Sequence, residues 1–127
     1  MFSFRANLLA VALCLAGGLP ASAANCDNSP NSAAQADCLG KELRKADAEL
    51  NVVYQKAMAS LLEDAGAKAN LLKSERAWLA YKDSQCNGVV GDMWTGGSQG
   101  PISIAICDIG LIKLRIRELV EATREGG

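Results

Sequence analysis

Reactive groups are sparse in this chain of 127 residues, and histidine is absent. The commonest general base near neutral pH is therefore missing. Carboxylates remain, and Asp47 and Glu75 are the two that a helical hairpin would bring face to face. Acid–base work by such a pair needs a cleft as well as two carboxylates. The simpler reading is structural: Asp47 and Asn51 stand one helical turn apart and hydrogen-bond to the neighbouring helix. Arg76 would then pair with Asp47 or Glu75, where a surface ion pair contributes little. Tyr54 and Arg115 are read in the same way, as polar contacts between helices. No catalytic residue and no cofactor is expected, and the chain is not read as an enzyme.

Cysteine offers a second kind of chemistry. Cys14 lies in an N-terminal apolar segment, leaving Cys26, Cys38, Cys86 and Cys107. Four thiolates can hold zinc, but such sites usually show close ligand pairs. This chain has no Cys-x-x-Cys and no histidine, so no metal is expected. An even count in an exported chain reads as two disulfides.

Recognition is the third possibility. "RAWLAYKDSQCNGVVGDMWTGG", residues 76–97, holds three of the six aromatic side chains and ends in glycine. Trp78 continues a helical stripe and is read as core. Trp94 belongs to no stripe. It stands beside Met93 among glycines, between two cysteines. Two readings stay open: a loop folded back over the core, or an exposed recognition residue of the kind binding surfaces use. Met93 and Trp94, with Arg76 and Lys82, are the candidate partner-binding residues.

The ends and the composition set the frame for these residues. "MFSFRANLLAVALCLAGGLPASAA" has one early positive charge, an apolar run, Pro20 and small residues. This is a secretory signal pattern over residues 1–24, with cleavage expected after Ala23 or Ala24. The run is too short for a permanent membrane anchor. Leu13 and Asn25 precede Cys14 and Cys26, which does not fit lipid attachment. The remaining residues, 25–127, suffice for one small domain, expected to be soluble and either periplasmic or secreted. Without Arg5 there are 12 basic and 14 acidic residues, and no basic surplus points to nucleic acid.

Three amphipathic helices must position the candidate residues. Ser32 and Gln35 fit a capping box. From there Leu39, Leu43, Ala46, Leu50, Val53, Ala57 and Leu61 step by four and three, which only a helix places on one side. Gly66 is the predicted stop. A second helix is predicted from about Ala67 to Cys86, with Leu71 and Trp78, and Leu72, Leu79 and Cys86, forming one broad buried face. Residues 87–100 read as loop. The third helix starts near Pro101; Ile102, Ile106, Ile109, Ile112, Ile116 and Leu119 form its stripe, with Arg115, Arg117 and Glu118 on the other face. The fold class is all-α: a small disulfide-stapled helical hairpin with a third packed helix.

With a turn at Gly66, Cys38 lies 28 residues before it and Cys86 lies 20 after it. At 1.5 Å per residue the two are out of level by roughly 12 Å, beyond the reach of a disulfide. Local pairing is predicted instead, Cys26 with Cys38 and Cys86 with Cys107.

Three segments together resemble a known family. "ADAELNVVYQ" carries Asp47, Leu50, Asn51 and Tyr54; "SERAWLAYKDSQC" carries Arg76, Trp78, Tyr81 and Cys86; "CDIGLIKLRIREL" carries Cys107, Leu111, Arg115 and Leu119. From Cys26 to about Leu119 the chain resembles the LprI-type lysozyme inhibitors, an exported bacterial family. The resemblance implies lysozyme as a protein partner, bound by occlusion of its cleft. The other reading is a structural or stress-related envelope module that binds another partner or a small ligand between its helices.

Overall fold

A computed structural model describes residues 25–125; the predicted signal sequence lies outside them. Three long helices carry the fold: α1 (Ser32–Ser60), α2 (Ala65–Asp83) and α3 (Gln99–Glu125). No strand occurs among the described residues. The first helix starts one residue earlier than a cap at Ser32 requires. Asn31 is the cap, and its Oδ1 accepts from Ala34 N–H at 2.9 Å. Asparagine outranks most residues at this position.

The turn between α1 and α2 also differs from the expected glycine stop. It falls at residues 61–64, and Gly66 lies inside the first turn of α2. Leu62 adopts the left-handed conformation, φ 50°, that usually selects glycine at a helix end. Asp64 starts α2, its Oδ1 accepting from Ala67 N–H at 2.9 Å. That cap, and not Gly66, marks the boundary.

The helices run up, down and up, so α1 and α3 are parallel. Leu39 shares a cluster with Ile102, Ala105 and Ile109 near the start of both helices. Ala46, Leu50 and Ala57 share another with Ile112, Ile116 and Leu119 further on. These two helices approach most closely; α2 stands further off. It reaches the core through Leu71 and Trp78, which are only partly buried. Of the predicted second stripe of α2 only Cys86 is buried; Leu72 and Leu79 are 40% and 47% exposed. Ile106 of α3 also points outward, 50% exposed.

Charged residues take the places left on the packed face. Leu71, Glu75, Trp78 and Lys82 form one stripe of α2 by their spacing of four, three and four. Arg115, expected on the outer face of α3, is buried. Its Nε donates to Glu75 Oε2 at 2.9 Å, its Nη2 to Ser74 Oγ at 3.1 Å and its Nη1 to Glu118 Oε2 at 3.2 Å. The guanidinium also lies 6.0 Å from the Trp78 ring centre, within cation–π range. Lys82 Nζ donates to the buried Asp108 at 3.2 Å. Two ion pairs thus join α2 to α3 beside the apolar contacts of Leu71 and Trp78.

Both predicted disulfides are present, each with Cα atoms 5.6 Å apart. With the turn at residues 61–64, a difference in level no longer separates Cys38 from Cys86. Cys38 lies 22 residues before the end of α1 and Cys86 21 after the start of α2, so the two are level. The chain winds on to Met93 and reverses at residues 94–98, and α3 then returns past Cys86 and brings Cys107 to it.

Candidate functional site

The segment joining α2 to α3 is more ordered than its glycines suggest. Helical winding continues past Asp83 as a π-helical stretch, Ser84–Val90, followed by a single α-turn, Gly91–Met93. Each π turn takes in an extra residue, so the faces of α2 are not continued. Cys86 is fully buried here and bonded to Cys107. Gly91 packs close to α3: a Cβ on it would sit 3.6 Å from Ile104 Cδ1.

Only residues 94–98 are left as turn. Gly96 supplies a positive φ of 85°, a conformation that costs glycine little. The Trp94 carbonyl rests on α3, where a Cβ at Gly100 would meet it at 3.0 Å. The Trp94 backbone is therefore held while its side chain faces out. Met93 is 76% exposed and Trp94 51%. Val89, also half exposed, adds to the apolar surface of this segment. Trp94 therefore combines parts of both readings, its backbone folded back onto α3 and about half of its side chain exposed.

The other candidate residues lie apart from this tip. Lys82 is half-buried in its ion pair with Asp108. Arg76 is exposed on α2, six residues earlier, which puts it about 120° around the helix from Lys82. Neither expected partner takes Arg76, because Glu75 is held by Arg115 and Asp47 forms no ion pair with it. Asp47 and Asn51 do not bond to the neighbouring helix either. Instead Asp47, Leu50, Asn51, Tyr54 and Gln55 of α1 line an open cleft against Leu72, Glu75, Arg76 and Leu79 of α2. Tyr81 is exposed, on a different groove with Ile106 and Leu114. No helix among the described residues is long and apolar enough to cross a membrane.

Sequence reasoning passed over Asp108, the buried partner of Lys82. Its spacing carried the signal: it lies three residues after Ala105 and four before Ile112, on the core stripe. An acid at such a position needs a cation beside it.

The family described as "Lysozyme inhibitor LprI" matches residues 26–119, from the first disulfide cysteine to the last core leucine. The chain belongs to the LprI family. An uncharacterised protein of Rhizobium meliloti is 37% identical over 95 residues, covering 66% of this chain and 68% of that one. No solved structure matches. The LprI match takes in both disulfides, the Glu75–Arg115 pair and the Met93–Trp94 tip, so the features described above all lie within the family's region.

Proposed function

We propose that this protein is an exported lysozyme inhibitor that acts by occlusion, with the Met93–Trp94 tip covering or entering the lysozyme cleft. Membership of the LprI family supports the partner, and the two disulfides support an oxidising, extracytoplasmic location. The observation that carries the mechanism is the tip itself. It presents an exposed methionine and tryptophan on a backbone closed by Cys86–Cys107 and seated on Gly100. A segment ordered in advance loses less entropy on binding.

Lysozymes cut glycans with two carboxylates set in an open cleft, and a rigid protrusion can block such a cleft without any chemistry. Residues 87–100 contain Asp92 and no basic residue, which suits approach to a cationic lysozyme. Arg76 and Lys82 take no part in this contact; one lies on the α1–α2 side and the other is committed to Asp108.

A lytic assay with the purified protein tests the reading. Wild type should slow lysis, and Trp94→Ala should weaken inhibition by about 2 kcal/mol or more, as loss of an aromatic anchor does. Its melting temperature should stay near that of wild type. Lysis unaffected by the wild-type protein sinks the proposal. So does a Trp94→Ala protein that inhibits normally.

A further inference from the structure

The α1–α2 cleft contributes nothing to the tip and has its own chemistry. Its volume of about 480 Å³ falls in the small-molecule range of about 300–1,000 Å³. Besides Glu75, five polar side chains line it: Asp47, Asn51, Tyr54, Gln55 and Arg76. None of them makes a side-chain hydrogen bond or ion pair with any described residue. Glu75 also borders the cleft but is held by Arg115. Leu50, Leu72 and Leu79 supply an apolar lining.

The two free charges line the cleft from different helices. Asp47 lies 13 residues before the end of α1 and Arg76 11 after the start of α2. The two are therefore level to within about 3 Å along the hairpin. They do not pair, because α2 stands off α1 at this point. A carboxylate and a guanidinium lining one cleft from two helices match a ligand whose ammonium and carboxylate groups are joined through a single carbon.

We infer that this cleft binds a free α-amino acid with an aliphatic side chain. Its ammonium group is held by Asp47 and its carboxylate by Arg76, whose planar fork suits a carboxylate. The aliphatic side chain lies on Leu50, Leu72 and Leu79. Asn51 and Gln55, one and two turns along α1 from Asp47, offer amide donors and acceptors. A neutral sugar would use those amides but leave both charges without a counter-ion, and Tyr54, the one aromatic lining residue, is half-buried.

Titration of the purified protein with L-leucine, followed by amide NMR shifts and by calorimetry, tests this inference. Saturable binding with Kd below about 1 mM is expected, with shifts centred on Asp47, Asn51 and Arg76. N-acetyl-leucine lacks the ammonium and leucinamide lacks the carboxylate; each should bind at least about tenfold more weakly. Asp47→Asn and Arg76→Gln should each weaken leucine binding at least about tenfold with melting temperatures unchanged, since both residues are exposed and unpaired. Three results overturn it: no saturable leucine binding up to about ten times that Kd limit, blocked leucines that bind as well as leucine, or saturation by N,N′-diacetylchitobiose with shifts at Asn51 and Gln55 in its place. None of these readouts involves lysozyme, so failure here leaves the inhibitor reading standing, and the reverse.

Discussion

Arg115 has more partners than any other residue described. It joins α3 to α2 through Glu75 and Ser74, braces Glu118 on its own helix and lies against Trp78. Removing the cation alone leaves the Glu75 carboxylate buried with no counter-charge. Arg115→Ala should therefore cost about 3–5 kcal/mol, read as a shift in the urea midpoint. Replacing both partners, Glu75→Leu with Arg115→Met, should cost clearly less, because no charge is then stranded. A single variant within about 1 kcal/mol of wild type would mean that the pair is not buried. The position of Arg115 was legible in principle, since it lies three residues after Ile112 and four before Leu119. Its reading as a polar contact between helices holds, but its charge set it on the outer face, and the same bias hid Asp108. Exposure at the tip was not legible: nothing local to Met93 and Trp94 says whether a loop folds inward. The seat at Gly100 is a tertiary contact between residues six apart, with two glycines between them.

Among the elements, α1 and α3 follow their apolar stripes closely, apart from Ile106. The boundary between α1 and α2 does not follow its glycine. Leu62 holds a left-handed conformation while 73% exposed, so it accepts backbone strain and gains little burial. Leu62→Gly should stabilise the fold by up to about 1 kcal/mol, an unusual sign for a glycine substitution, and a thermal melt reads it directly. A loss of stability would show that Leu62 packs more than its exposure implies. The π-helical stretch was illegible for a different reason. Its sequence, "SQCNGVV", reads as loop by glycine content, and its winding is held by the cystine and by packing on α3. The double variant Cys86→Ser with Cys107→Ser should lose about 3 kcal/mol on the chain-entropy model. Hydrogen exchange should quicken over residues 84–100 and leave α1 nearly unchanged. Inhibition of lysozyme should fall with it, since the tip is then no longer ordered before contact. Unchanged exchange in that stretch would show that packing alone winds it.

Taken as a whole molecule, the protein is a parallel pair, α1 and α3, with α2 set off to one side on ionic and apolar contacts. That offset is what opens the α1–α2 cleft and leaves Leu72 and Leu79 uncovered. The tip and the cleft share no lining residue. The cystines have a consequence of covalent topology. Each closes a ring on its own stretch of chain, residues 26–38 and 86–107, and the two rings share no link. A protease that cuts at Leu62 therefore yields two pieces, one holding each ring, joined by packing alone. Non-reducing denaturing electrophoresis should separate them after a single cut there. A cut inside residues 87–100 should leave one band, because both new ends belong to the same ring. The surface most exposed to attack by a partner's environment can be nicked without losing a fragment, whereas the plain turn at the far end has no such second connection.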